Sequence, residues 1–278
     1  MSRWRLIELL HPGPSVATAV VAVLFGLLLG LRFGDARLLL IGAVMLLSQF
    51  SISALNDWAD SDLDAAAKRR RPIPLGLLRR HCALLVATAF GAISLIVSGL
   101  AGLGLIATLL LALGLACGWI YNLALKRTVF SFVPFAVAFP LMAVWVGVIA
   151  HRPAASLPIL VIGGVPVAIA IHLADAIPDR DDDAASGVRT LAVRLGRPAA
   201  EIAALALLLT GAFIAGTLAV RRGDLSAAVF TPVLFAADYS FLMFGRGGEA
   251  FVGMRPLIAK VSLVVGGINV AIILVLSA

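Results

Sequence analysis

The chain is poor in charge: 13% of its 278 residues are Asp, Glu, Lys or Arg, about half the quarter share of a soluble domain. That deficit excludes an ordinary soluble globular fold. Cysteine is nearly absent too, with Cys82 and Cys117 each inside an apolar run and in no metal-binding spacing. A disulfide framework is excluded, and both are expected to pack as small hydrophobes. Long polar stretches are missing, so no soluble domain is expected beside the apolar segments. The net charge of +7 also lacks a basic face, since its Lys and Arg residues are strung along short loops. No nucleic-acid partner is expected.

What is present is hydrophobic sequence, at 62% of residues and a mean hydropathy of +1.07. Runs near the roughly 20 residues that cross hydrocarbon fall at 15–32, 37–55, 81–100, 102–121, 130–150, 157–177, 200–220, 226–245 and 258–278. Nine spans place the termini on opposite sides, and the Lys/Arg bias orients them. With the N-terminus cytoplasmic, seventeen Lys/Arg residues lie inside and only Arg32, Arg37, Arg152, Arg221 and Arg222 outside. An integral multi-pass protein of the cytoplasmic membrane, if bacterial, is expected, with the lipid bilayer as a partner. Arg3 and Arg5 suit a retained first span rather than a cleaved signal.

Nine of the fifteen acidic residues stand in two clusters, Asn56-Asp57-Trp58-Ala59-Asp60-Ser61-Asp62-Leu63-Asp64 and Asp175-Ala176-Ile177-Pro178-Asp179-Arg180-Asp181-Asp182-Asp183. Asn56, Asp60 and Asp64 match Asp175, Asp179 and Asp183 at a constant offset of 119 positions. The offset suggests an internal pseudo-repeat, roughly helices 1–4 and 5–8, within a single domain spanning 1–278. Four residues of helix turn about 400°, so each triplet lines one drifting stripe. The first stripe reaches back to Ser53 and Gln49, and His172 lies one turn deeper than the second. Pro178 predicts a kink or unwinding there.

Solvated helix ends would explain a single Asp, but clustered carboxylates near hydrocarbon are costly without a counter-ion. Mg²⁺ relieves that cost, because it takes oxygen ligands, accepts one or two carboxylates and fills its octahedron with water or phosphate oxygen. Two clusters therefore predict two Mg²⁺ ions bridged by a diphosphate, with Asn56, Asp60 and Asp64 on one and Asp175, Asp179 and Asp183 on the other. The same face carries Lys68 to Arg71, Lys126 with Arg127, and Arg189 with Arg194, cations suited to phosphate oxygens. Asp57, Asp62, Asp181 and Asp182 fall off the stripes and are expected to be solvated or supporting. His172 reads as a satisfied interior histidine, and Asp238 as an isolated intramembrane acid.

These residues resemble the UbiA-type intramembrane prenyltransferases over nearly the whole chain. The family's N-D-x-x-D-x-x-x-D followed by R-P-x-P-x-G is matched by Asn56, Asp57, Asp60 and Asp64, then Arg71-Pro72-Ile73-Pro74-Leu75-Gly76. Its D-x-x-x-D-x-x-x-D ahead of G-x-[KR]-T-L is matched by Asp175, Asp179 and Asp183, then Gly187-Val188-Arg189-Thr190-Leu191. Tyr121 with Lys126 and Arg127 is similar to the family's interhelical Tyr and basic pair. Leu75 replaces the usual Ser, and an upstream R-P gives way to Lys68 to Arg70.

The resemblance implies an all-α polytopic membrane bundle of nine transmembrane helices, with a central cavity opening to an active site near the cytoplasmic face. It implies Mg²⁺-dependent transfer of a prenyl chain from a polyprenyl diphosphate, through an allylic carbocation, to a hydrophobic or aromatic acceptor. A ring acceptor of quinone or tetrapyrrole type is expected. Catalytic roles then fall to Asp60, Asp64, Asp179, Asp183, Lys126 and Arg127, and diphosphate binding to Arg71, Tyr121, Lys126, Arg127 and Arg189. A polytopic secondary transporter using intramembrane carboxylates is the alternative, since duplicated halves occur there too. A CDP-alcohol phosphotransferase is disfavoured because its D-G-x-x-A-R motif is missing.

Overall fold

The computed structural model describes residues 7–66 and 71–221, and among them every regular element is helical. The main helices are α1 (Pro12–Leu28), α2 (Ala36–Ala66), α3 (Arg80–Leu100), α4 (Leu105–Ile120), α5 (Val133–Ile149), α6 (Pro158–Ala176), α7 (Arg180–Ala185), α8 (Leu191–Leu195) and α9 (Arg197–Arg221). Six helical stretches are long and apolar enough to cross a membrane, and α1, at 17 residues, is a shorter apolar helix. The first seven expected spans thus have helices. The last two, at 226–245 and 258–278, and Asp238 lie outside the described residues.

Two compact units divide the chain, one of Met1–Leu123 with Trp145–His151, the other of Ala124–Val144 with Arg152–Ala278. In the first, α2 packs between α1 and α3 and also touches α4. Pro12 and Pro14 start α1, where a missing N–H costs nothing. Its end differs from the expected 32. Gly30, at φ +98°, closes the helix as the Gly30 amide donates to the Leu27 carbonyl and the Leu31 amide to that of Gly26, a left-handed glycine stop.

Helix α2 runs for 31 residues without a break, about 46 Å at 1.5 Å per residue. That exceeds the roughly 30 Å of hydrocarbon, so its surplus turns carry the first acidic cluster beyond the expected span end at 55. Its azimuth is pinned from both sides. The Ser51 hydroxyl donates to the Ala87 carbonyl of α3 at 2.7 Å and accepts from Trp119 Nε1 of α4 at 3.0 Å. Asn122 Nδ2 donates to the Ile52 carbonyl at 2.9 Å. Of the small pair expected in α4, Gly118 is the close contact: a Cβ there would lie 2.7 Å from Ile52 Cγ1, whereas one at Gly114 would meet nothing within 4 Å among the described residues.

In the second unit α9 packs along α6, with Ala200, Ala204, Leu208, Ala212 and Ala215 against Val167, Ala170, Leu173, Ala174 and Ile177. Alanine at four-residue steps lets the helices approach closely. Gly164 of α6 serves the same end beside Pro140 of α5. Helix α6 stops at Ala176 because Pro178 has no N–H to offer the Ala174 carbonyl, and the chain turns before α7.

Candidate active site

The first cluster is a wall of one helix. Asp57, Asp60 and Asp64 are 3%, 8% and 5% exposed and share the buried face with Ser61, a helical i, i+3, i+4, i+7 set. Asn56 is half-buried at the edge of that face, and Asp62 is exposed. Arg80 holds the outer side, with Nη1 donating to Asp62 Oδ2 at 2.9 Å, Nε to the Trp58 carbonyl at 3.2 Å, and its guanidinium 4.9 Å from the Trp58 ring centre. Asp62 is therefore a surface partner, as its position off the stripe suggests.

Of the two expectations for Asp57, solvated or supporting, burial removes the first: its Oδ1 lies 2.8 Å from His11 Nε2, and its Oδ2 is buried with no hydrogen-bond partner among the described residues. The physical reason lies in α1, whose first turn lies against α2 through Ser15 and Ser53, 3.3 Å apart. His11 was missed because its partner stands 46 positions away; the signal available was a His-Pro step at the mouth of the first span.

Arg71 opens a tight, well-anchored turn. Its carbonyl accepts from the Leu75 amide, the Pro72 carbonyl from those of Leu77 and Leu78, and the Ile73 carbonyl from that of Gly76. Gly76 sits at φ +68°, which explains the glycine of R-P-x-P-x-G. Pro72 is fully buried and Leu78 joins a core with Leu9, Ala54 and Leu55. Among the described residues the Arg71 guanidinium has no carboxylate partner; Nη1 reaches only His11 Nε2, at 3.5 Å.

The second cluster is built differently, which corrects the expectation of equal geometry. Asp175 lies in the last turn of α6, Asp179 precedes α7 in the turn without a side-chain capping bond, and Asp183 lies on α7. Asp175 and Asp179 are exposed and Asp183 is half-buried. Arg180 pairs with the exposed Asp181. After α7, Gly187 turns the chain at φ +75°, and the Val188 amide returns to the Asp183 carbonyl at 2.9 Å. The next amide, that of Arg189, donates to the Arg127 carbonyl at 3.0 Å, so two of the expected cationic segments are joined by their backbones. Thr190 then caps α8 through the Val193 amide.

Tyr121 is half-buried and begins a π-helical turn, Tyr121–Leu125, that ends α4; such turns often mark functional sites. Lys126 is half-buried and Arg127 exposed just beyond it. His172 is 6% exposed, with Nε2 3.1 Å from Ser131 Oγ and its ring 4.4 Å from that of Phe135, matching the reading of a satisfied interior histidine.

Among the described residues no three Asp, Glu, His or Cys side chains gather into a ready-made metal cage. Asp60 and Asp64, buried one helical turn apart, offer a hard-oxygen pair instead. That donor set fits Mg²⁺, which keeps several waters and binds through one or two carboxylates plus phosphate oxygen.

A helical chain with several apolar spans and buried carboxylates at the end of one of them is an integral, multi-pass membrane protein. The chain belongs to the UbiA prenyltransferase family, whose model matches residues 16–246. It is similar to a digeranylgeranylglyceryl phosphate synthase of Methanothermobacter thermautotrophicus, 26% identical over 256 residues that cover 90% of this chain and 88% of that one. A protoheme IX farnesyltransferase of Novosphingobium aromaticivorans is 40% identical over 102 residues, 34% of this chain and only 33% of the farnesyltransferase. The fold matches that of a UbiA homolog from Archaeoglobus fulgidus, solved with GPP and Mg²⁺, at a TM-score of 0.70, 18% identity, and 96% and 99% coverage of the two chains.

Proposed function

We propose that this protein transfers a prenyl chain from a polyprenyl diphosphate to a hydrophobic or aromatic acceptor, acting as one domain over 1–278. The observation that carries the reading is the buried Asp60/Asp64 pair closing a membrane-spanning helix in a chain of this family. Asn56, Asp60 and Asp64 hold one Mg²⁺, and Asp175, Asp179 and Asp183 hold a second. Bound to the donor diphosphate, these ions would neutralise the charge that grows on the leaving group. Arg71, Lys126, Arg127 and Arg189 bind the same phosphates by charge-assisted hydrogen bonds, and Tyr121 orients the diphosphate. For Arg71 this agrees with the lack of a carboxylate partner among the described residues.

Ionisation of the donor leaves an allylic carbocation that the acceptor attacks where apolar walls exclude water. The central cavity, the ninefold span count, the cytoplasmic N-terminus and an active site near the cytoplasmic face complete the reading, supported by the basic-residue bias. A ring acceptor of quinone or tetrapyrrole type is favoured by the motif residues. A glycerol phosphate lipid precursor is the second candidate, favoured by similarity to the archaeal synthase over 90% of the chain. Family membership sets the transporter alternative aside.

The test is diphosphate release and product formation by purified protein with Mg²⁺, geranylgeranyl diphosphate and a panel of both acceptor types. Asp60→Ala and Asp179→Ala should each cost at least about a hundredfold, the scale of removing a group that stabilises transition-state charge. Full activity in both variants, or no product with any acceptor, would sink the reading.

A further inference from the structure

Three side chains of the first unit meet, and two of them, His11 and Asp57, have no role assigned above. His11 Nε2 lies 2.8 Å from Asp57 Oδ1 and 3.5 Å from Arg71 Nη1. Asp57 is buried and its second oxygen has no partner among the described residues. His11 itself is held in the left-handed region, at φ +43° and ψ +63° before Pro12, a conformation rare for a side-chain-bearing residue and further disfavoured ahead of proline. It persists because the neighbourhood fixes it: the His11 carbonyl accepts from the Ser15 amide at 3.2 Å, and Ser15 Oγ donates to the Leu10 carbonyl at 2.9 Å.

A neutral imidazole nitrogen cannot serve both neighbours. As N–H it donates to Asp57; as a bare nitrogen it accepts from Arg71. Asp57 Oδ1 is the nearer of the two, at 2.8 Å against 3.5 Å, and with Oδ2 already lacking a partner among the described residues the loss of that contact would leave a buried carboxyl group wholly unpaired, the costlier outcome. The Nε2–H is therefore claimed by Asp57. Arg71 is left beside the ring with no carboxylate partner among the described residues, on a turn anchored by Pro72.

We infer that His11, with Asp57, is a positioning residue that holds the Arg71 guanidinium ready for the diphosphate of the donor. This rests on the proposed prenyl diphosphate reading. His11 touches no substrate in this scheme, and Asp57, its partner at 2.8 Å, acts through it. The pair locks one face of the Arg71 side chain while denying it a competing acceptor.

The experiment is a binding cycle with intact protein in detergent, using geranyl diphosphate and Mg²⁺ as the probe and isothermal titration as the readout. His11→Ala should weaken binding about tenfold, because it frees the Asp57 carboxyl to compete with the diphosphate for Arg71. In an Arg71→Ala background the same change should do almost nothing, because its effect passes through Arg71. His11→Gln, whose amide reaches as a donor, should restore affinity to within about threefold of wild type, while Asp57→Asn should mimic His11→Ala. Should His11→Ala fail to fold, the Asp57→Asn and His11→Gln pair carries the same comparison.

In turnover the loss should fall on the donor KM and leave kcat within about twofold, the signature of lost ground-state binding. Equal affinity in wild type and His11→Ala, or losses that add fully to that of Arg71→Ala, would overturn the inference alone. A wild type that binds the probe yet transfers to no acceptor would overturn the transfer reading and leave this inference standing on its cycle. A wild type that binds no prenyl diphosphate would overturn both.

Discussion

Ser51→Ala isolates what fixes the rotation of α2, and with it the direction of the three acids above. Ser51 is fully buried, donates to the Ala87 carbonyl and accepts from the Trp119 indole, so one hydroxyl ties α2 to both α3 and α4. Removing it leaves the Trp119 N–H without its partner; the Ala87 carbonyl is less affected. An orphaned buried donor costs about 1–3 kcal/mol, but interhelical hydrogen bonds in membranes average nearer 0.6 kcal/mol because the unfolded chain also finds partners. The expected loss is about 1–2 kcal/mol. Trp119→Phe in the same chain should recover about 0.5 kcal/mol relative to the sum of the two single changes, since no donor is then stranded. Reversible unfolding in mixed micelles, followed by circular dichroism so that Trp119 is not also the probe, measures all four corners. A Ser51→Ala protein within about 0.3 kcal/mol of wild type, or strictly additive changes at the independent-site limit, would refute the argument that this hydroxyl sets the azimuth of α2.

Gly118→Ala should destabilise by about 1–3 kcal/mol through overpacking against Ile52, relieved by Ile52→Ala, while Gly114→Ala, with open space around its Cβ position, should be neutral in the same unfolding assay. Pro178→Ala restores an N–H that can extend α6, which would swing Asp179 and Asp183 to new azimuths; prenyl transfer should fall by about tenfold or more, as small misplacements at a reacting centre do, with helicity by circular dichroism unchanged or slightly raised. Hydrogen bonds from Arg37 hold the Asp35 carboxyl below its ordinary value of 3.8. A lowered folded-state pKa contributes stability that is present above the ordinary value and lost as pH falls through the folded one. Asp35→Asn should therefore lower Tm at pH 6 and converge with wild type in acid below the ordinary value.

Hydropathy made the spans legible, because burial in hydrocarbon demands runs that no loop can supply. It ended the second span at 55, while the every-fourth-residue stripe already read 56–64 as helix, and α2 runs on through those acids to Ala66: acidic side chains do not break a helix. Pro178 was legible as a break, since a missing N–H acts locally. The different surroundings of the two clusters were not. A constant offset of 119 positions reports matching residue types, whereas burial of Asp57 depends on His11 and exposure of Asp175 on what packs around the end of α6. The stripe at every fourth residue likewise named Asp60 and Asp64 correctly as neighbours but could not show that Asp57 and Ser61 complete the buried face.

The two acidic clusters are thus one motif realised with two kinds of mechanics. The first rides on a 31-residue helix bolted by Ser51 and Asn122, so its carboxylates are held by a body that cannot yield at one turn without moving several. The second is jointed at Pro178 and continues into α7, whose six residues are far too few to be helical on their own merits. What holds α7 is its surroundings: the Val188 amide on Asp183, the Arg189 amide on Arg127, and the Thr190 cap beyond. Those bonds couple Asp183 to the two basic segments through the backbone, so any shift of the acid carries the cations with it.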